Sequence, residues 1–251
     1  MPEALTVALS TPGLTWMAAT FLVAGLVRGF TGFGSALIFV PVATQFIPMV
    51  DVITIIVFTG IASAAALLPR AWSKADHSEV SILVLATLLT VPIGYWIIGQ
   101  LDPVTLRWVV AGIVTVTLAA VITGWRYEGR LGLPGRLAIG GGAGIVGGLS
   151  GMTGPVVIIF YLANARRSVE SVRANTILFL AATDVIILCN LLWNGEVRMD
   201  MIWVSAILCV PYLTTAMVGQ ALFRPSFEGI YRMAAYSVIG IAVISGLPVL
   251  D

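Results

Sequence analysis

Ten apolar runs, separated by short polar patches, follow one another along the chain. Their approximate bounds are 14–27, 33–48, 52–69, 80–100, 104–124, 137–149, 155–165, 174–193, 201–222 and 231–249. Six runs, those between 52 and 124 and between 174 and 249, approach the roughly 20 residues that an α-helix needs to cross a bilayer. The four shorter runs form two pairs. The pattern predicts an all-α polytopic membrane protein with six full transmembrane helices and two pairs of short helices, about eight to ten membrane segments in all.

Each short pair contains a glycine-rich break. The first break is Arg28-Gly29-Phe30-Thr31-Gly32-Phe33-Gly34-Ser35, and the second is Gly147-Gly148-Leu149-Ser150-Gly151-Met152-Thr153-Gly154-Pro155. Non-helical backbone at membrane depth persists only where it is buried in protein or lines a wet cavity. The breaks therefore predict a binding site between half-helices. A pair that crosses the membrane twice and a pair that re-enters from one side fit the pattern equally well.

The two breaks belong to an internal repeat. A shift of 119 positions places Phe30-Thr31-Gly32-Phe33 over Leu149-Ser150-Gly151-Met152, Asp51 over Glu170 and Pro92 over Pro211; with a three-residue insertion, Pro103 falls on Pro225 and Gly124 on Gly246. A constant offset over such a length is typical of transporter folds built from duplicated halves. We predict one membrane domain over residues 1–251, with repeat one at about 14–124 and repeat two at about 135–250.

The basic residues indicate how the halves are oriented. Ten of the Lys and Arg residues fall in four patches: Arg70 and Lys74; Arg126, Arg130 and Arg136; Arg166, Arg167 and Arg173; Arg224 and Arg232. If every run reverses the chain, all four patches lie on one side, which the positive-inside rule makes cytoplasmic. Because each half has five runs, the second half is inverted relative to the first, and both termini are predicted to be periplasmic.

Composition agrees with a membrane protein and excludes several classes of function. Of the 251 residues, 59% are hydrophobic and 10% charged, against about 45–50% and 25% in soluble domains. A net charge of +1 without a basic run argues against nucleic-acid binding. One histidine and two cysteines give no metal or haem cluster, so we expect no metal and no cofactor. The chain has no Gly-Lys-Ser or Gly-Lys-Thr of a P-loop and no credible nucleophile and base, so we expect no enzyme.

The breaks have the chemistry of an anion site. Half-helices that begin near Ser35 and Pro155 would direct free N–H groups and positive dipole ends to a common centre. Arg28, a cation at the edge of an apolar run, adds a planar fork that suits an oxyanion. The predicted substrate-binding residues are Arg28, Thr31, Gly32, Phe33, Gly34, Ser35, Ser150, Gly151, Met152, Thr153 and Gly154. Two alternatives stay open: the glycines only permit close helix packing, and Arg28 snorkels to the cytoplasmic interface.

Two further polar residues lie on the run 174–193. Asp184 is ten residues into it, and three roles are open: counter-ion to Arg28, proton-carrying group for coupling, or interhelical hydrogen bond. Asn175, nine positions before Asp184, is the other candidate for coupling or charge compensation, and an interhelical hydrogen bond is its alternative role.

The paired motifs, Arg28 to Ser35 followed by an apolar run with Pro41 and Gly147 to Pro155, resemble those of the TauE/SafE family, also called the toluene sulfonate uptake permease family. The resemblance covers about residues 14–248 and includes Arg173-Ala174-Asn175. It implies a multi-pass transporter of the bacterial inner membrane for sulfur-containing anions such as sulfite or organosulfonates, working as an exporter. From the residues alone, only an anion is indicated.

The expected function is therefore a secondary transporter of small anions, which works by alternating access around a site at the membrane midplane. A passive anion channel is the alternative, since it would share the half-helices. The expected partners are a small anionic substrate and the lipid bilayer, with no nucleic acid. Assembly with further copies of the chain is left open.

Overall fold

The computed structural model describes residues 3–31, 34–65, 68–123, 132–157, 169–222 and 227–250, and their regular structure is entirely helical. The helices are α1 (Glu3–Leu9), α2 (Leu14–Thr31), α3 (Ser35–Ala43), α4 (Met49–Ala65), α5 (Leu68–Trp72), α6 (His77–Ile98), α7 (Pro103–Ile122), α8 (Leu133–Ser150), α9 (Val169–Trp193), α10 (Met199–Leu222) and α11 (Glu228–Gly246), with a final 3-10 turn at Pro248–Leu250. Residues 154–157 are also helical.

Helices α6, α7, α9, α10 and α11 are long and apolar enough to cross a membrane. They match five of the six predicted full spans. The sixth, predicted over 52–69, overlaps the apolar helix α4, of which the structure describes the 17 residues Met49–Ala65. Residues 66 and 67 of this predicted span lie outside the described residues. Helices α1 and α2, bent by 76° at their junction, together pass as one further span. The chain is thus an all-α, multi-pass membrane protein, as predicted.

The short pairs are broken where the glycines predict. Helix α2 ends at Thr31 and α3 begins at Ser35, whereas α8 ends at Ser150 and the next helical turn begins at residue 154. Gly34 (φ 96°) and Gly151 (φ 70°) adopt the left-handed conformation that glycine tolerates without steric cost. With nine residues, α3 is a half-length helix, as the sequence predicted.

Two pairs of long helices cross in close contact, and glycines at the crossings let the two backbones approach each other. Helix α2 packs along α10, and α8 packs along α6. A Cβ added to Gly29 would lie 2.5 Å from the Ala216 carbonyl oxygen, and one added to Gly148 would lie 2.2 Å from that of Val91. In each crossing the first long helix of one predicted repeat packs on a helix of the other repeat. This exchange is compatible with the predicted duplication.

The glycine contacts also give the register between α6 and α10. Gly94 lies against Gly148, and Gly219 lies against Gly29. Because Gly29 and Gly148 are 119 positions apart, these contacts equate Gly94 with Gly219, which are 125 apart. If the two crossings are equivalent, as the predicted duplication requires, this register differs by six positions from the predicted match of Pro92 with Pro211.

Helix α3 lies in the interior, against α2, α7 and α11. The side chains of Ile38, Phe39 and Val40 on it are at most 2% exposed. The Phe39 ring stacks on Phe21 of α2 at a centroid distance of 3.9 Å, and Phe21 meets Tyr212 of α10 edge-on at 5.1 Å. This aromatic cluster fixes α3 relative to α2 and α10.

Candidate anion-binding site

The two glycine-rich breaks meet at one cavity of about 60 Å³. Its lining comes from the first break (Arg28, Gly34, Ser35), the second break (Gly151, Thr153, Gly154, Pro155), and helices α3, α4, α9 and α10 (Ala36, Leu37, Ile56, Thr59, Gly60, Leu180, Asp184, Tyr212). On this measure one water molecule needs about 10–15 Å³. The cavity therefore has room for about four to six water molecules, or for one small oxyanion.

The amino end of α3 opens into this cavity. Its first helical hydrogen bond is donated by the Ile38 N–H to the Gly34 carbonyl oxygen at 3.2 Å. The N–H groups of the preceding residues, 35–37, have no acceptor within the helix, because a helix leaves its first-turn donors unpaired. All three residues line the cavity. The arrangement offers N–H donors and the positive end of the helix dipole to an anion.

Arg28 is held at the cavity by α4. Its Nη2 donates to the Ser63 hydroxyl at 3.2 Å, and that hydroxyl donates to the Gly60 carbonyl oxygen at 3.2 Å. Under the predicted shift of 119 positions Arg28 falls on Gly147, where an added Cβ would lie 2.3 Å from the Thr153 methyl group. Among the described residues, Arg28 is the one arginine that lines the cavity. Its hydrogen bond toward α4 argues against simple snorkelling.

Asp184 reaches the same cavity from α9. The residue is 8% exposed, and its carboxylate lies over Gly60, where an added Cβ would be 2.3 Å from Oδ2. Arg28 interacts with it electrostatically. Among the described residues, no hydrogen bond or ion pair closer than 4.0 Å reaches the carboxylate. The cavity wall therefore contains one cation and one acceptor-only anion.

Two polar residues of the wall escaped the sequence analysis. The Tyr212 hydroxyl of α10 donates to the Ser35 hydroxyl at 3.3 Å, and Tyr212 is 1% exposed. The Thr59 hydroxyl donates to the carbonyl oxygens of its own helix at Ile55 and Ile56. Tyr212 is separated from Ser35 by 177 positions, so no local pattern links them. A tyrosine in the middle of an apolar run was the one available signal.

The predicted site residues divide into three groups. Six of the predicted binding residues and Asp184 line the cavity: Arg28, Gly34, Ser35, Gly151, Thr153 and Gly154. Ser150 and Met152 do not, since the fully buried Ser150 hydroxyl donates to the Val146 carbonyl oxygen at 2.7 Å and Met152 is part of the apolar core. Gly32, Phe33 and the side chain of Thr31 lie outside the described residues.

Asn175 belongs to a different polar cluster. It is fully buried, accepts a hydrogen bond from the Asp76 N–H at 2.7 Å and donates to Glu79 Oε1 at 3.3 Å. Glu79, only 1% exposed, also lies 3.8 Å from Arg136 Nη2. The cluster ties α9 to the beginning of α6 and to α8. It indicates a structural role for Asn175 rather than coupling.

Replacing Asn175 with alanine should therefore lower stability without changing the anion affinity of the folded protein. The buried Glu79 carboxylate and the Asp76 N–H would lose a partner, which costs about 1 to 3 kcal/mol. Thermal unfolding in detergent and sulfite titration of the folded fraction measure the two effects. Asn194→Ala is the control, because Asn194 is exposed and bonds only to its own helix. A weaker anion affinity in the folded Asn175→Ala protein would show that Asn175 contributes to anion binding.

Comparison with known proteins gives one match. A family model described as sulfite exporter TauE/SafE matches residues 17–246, nearly the whole chain. No curated protein and no solved structure matches the chain.

Proposed function

The chain belongs to the sulfite exporter TauE/SafE family, and on that basis we propose that it exports small sulfur-containing anions across the bacterial inner membrane by alternating access. The family is one of membrane transporters and not of enzymes. The observation that carries the proposal is the convergence of both glycine-rich breaks and Arg28 on one cavity.

The electrostatics of the cavity favour an anion. A guanidinium group recognises oxyanions through paired N–H donors, and the unpaired N–H groups of α3 add donors that need no reorientation on binding. The hydroxyl groups of Ser35 and Thr153 lie on the same wall. In an apolar protein interior these interactions are stronger than in water. They recognise oxygen atoms and charge, which sulfite and sulfonates share.

The cavity volume is compatible with sulfite as a substrate. About 60 Å³ accommodates a single sulfur with its oxygens, on the scale of about 10–15 Å³ per water molecule. Organosulfonates carry the same head group on a carbon chain, which would have to extend through the open side of the cavity. Sulfite is therefore the substrate chosen for the experiments.

Alternating access is supported by the position of the breaks. Duplicated transporters commonly place a discontinuous helix of each repeat at a shared central site, and the two halves then move against each other around it. Here α3 and the turn at 154–157 enter one cavity from the two predicted repeats. A passive channel would instead need a continuous pore through this point.

Counterflow in liposomes tests this proposal. Vesicles that contain purified protein and unlabelled sulfite are diluted into labelled sulfite, and the internal label is followed over time. A carrier that exchanges sulfite gives saturable uptake and a transient accumulation of label. Uptake that rises linearly with concentration and shows no counterflow would identify a channel, and no flux of any anion would reject anion transport.

The predicted orientation has its own test. We expect residues 70–79 and 125–136 to be cytoplasmic and residue 251 to be periplasmic, because the basic patches share one side. Single cysteines are introduced at Ser73 and Asp251 in a variant that lacks both native cysteines, and an impermeant thiol reagent is added from either side. Labelling at the two positions from the same side would exclude the inverted arrangement.

A further inference from the structure

The anion cavity contains a buried carboxylate that repels the proposed anionic substrate. Asp184 lines the cavity, is 8% exposed and has no hydrogen-bond partner among the described residues. An ionised carboxylate only accepts hydrogen bonds, and so do the oxygens of an unprotonated oxyanion. Two acceptor-only groups in one small cavity repel each other, and burial strengthens the repulsion.

The charge balance of the cavity leads to the same conclusion, that an unprotonated oxyanion is disfavoured beside Asp184. Among the described residues of the wall, the charges of Arg28 and Asp184 cancel, which leaves the dipole of α3. Beside these residues a doubly charged anion would leave two uncompensated negative charges, whereas a protonated oxyanion leaves one. Burial of an uncompensated charge is strongly unfavourable. The α3 amino end, equivalent to about half a positive charge, offsets part of a single negative charge only.

The other charged groups around α9 do not compensate Asp184. Helix α9 packs against α4, α5, α6 and α8. The acid on α4, Asp51, pairs with Arg198 at 3.5 Å, and Glu79 on α6 contacts Asn175 and Arg136 of α8. The Arg70 side chain of α5 lies outside the described residues. Among the side chains that the structure describes, Arg28 is the charge that acts on Asp184.

We propose that Asp184 binds the oxyanion through a shared proton, so that the species held in the cavity is the protonated oxyanion, hydrogen sulfite in the case of sulfite. This inference rests on the proposed function. The proton comes from the substrate or from solvent and lies between an Asp184 oxygen and a substrate oxygen. Arg28 and the N–H groups of α3 bind the remaining oxygens. Each anion that occupies the site is thereby accompanied by one proton.

Chlorate is the probe, because it has the pyramidal shape of sulfite. It does not itself titrate near neutral pH, so any pH dependence of its binding comes from a group of the protein. Chlorate affinity for the wild-type protein should fall with rising pH, by up to about tenfold per pH unit for one linked proton. Asp184→Asn carries a permanent N–H donor in place of the shared proton. Its chlorate affinity should therefore be independent of pH. Asp51 is a buried carboxylate that pairs outside the cavity. The Asp51→Asn variant should therefore keep the wild-type pH dependence of chlorate affinity.

A second measurement needs no variant. In weakly buffered alkaline solution, chlorate binding to the wild-type protein should take up about one proton per anion bound. Chlorate binding without proton uptake and without pH dependence would overturn the shared proton while leaving the anion site intact, and so would a pH dependence that persists in Asp184→Asn. If neither chlorate nor sulfite binds at any pH, the proposed function itself fails.

Discussion

Arg28→Ala should weaken sulfite binding by about 10- to 150-fold. The guanidinium lines the cavity and is held there by its hydrogen bond to Ser63. A hydrogen bond between charged groups contributes about 1.5 to 3 kcal/mol, and each 1.4 kcal/mol is tenfold in affinity. Arg28→Lys keeps the charge but loses the planar fork, so its affinity should be intermediate. Calorimetric titration of the purified variants with sulfite measures these differences.

Arg173→Ala is the matched control for this prediction, because Arg173 is exposed on α9 and does not line the cavity. Its sulfite affinity should equal that of the wild type. A folded Arg28→Ala protein with wild-type affinity would mean that Arg28 is an ordinary interfacial cation and that the anion binds elsewhere.

Gly148→Leu should prevent stable folding. A Cβ at this position would lie 2.2 Å from the Val91 carbonyl oxygen and 3.0 Å from the Tyr95 nitrogen, both backbone atoms of α6. Backbone cannot rotate away as a side chain can, so α6 and α8 would have to separate. Membrane helices associate through such close approach of small residues, and overpacking costs about 1 to 3 kcal/mol even where neighbours can adjust. We expect little folded protein on size-exclusion chromatography.

Gly112→Leu provides the control for this effect. Gly112 is also inside a helix, α7, but it is exposed and an added Cβ has no neighbour within 4 Å. Leucine is more favourable than glycine inside a helix by about 1 kcal/mol, so this variant should fold at least as well as the wild type. Gly29 should behave like Gly148, because an added Cβ there would lie 2.5 Å from the Ala216 carbonyl oxygen of α10. A well-folded Gly148→Leu protein of wild-type thermal stability would show that the α6–α8 crossing differs from the one described.

Much of the fold can be predicted because the bilayer limits what a chain can do. Apolar runs of sufficient length predict the five full spans, since only internally bonded backbone is stable in lipid. The glycine breaks predict that α3 begins at Ser35, because glycine ends helices in a way that does not depend on distant residues. Helix α4 covers part of the sixth predicted span, 52–69, whose residues 66 and 67 lie outside the part of the chain that the structure describes.

Residues that line the cavity could be named from the sequence where they are consecutive, and were missed where they are distant. Arg28, Ser35 and Thr153 lie within the two glycine-rich motifs, and the predicted duplication places both motifs at a common centre. Tyr212 and Thr59 reach the cavity only through the packing of α10 and α4. Asn175 shows why a buried amide in an apolar run is ambiguous, since the sequence is equally consistent with coupling or charge compensation and with a structural hydrogen bond such as the one to Glu79.

The central claim, that the two breaks form one oxyanion site, is tested most directly by crystallography with selenite. Selenite has the shape of sulfite, and its selenium can be located by anomalous scattering. We predict one strong anomalous peak in the cavity, within hydrogen-bonding distance of Arg28, of the amino end of α3 and of the second break at Thr153. A crystal of the folded protein in which selenite binds only outside this cavity would contradict the account.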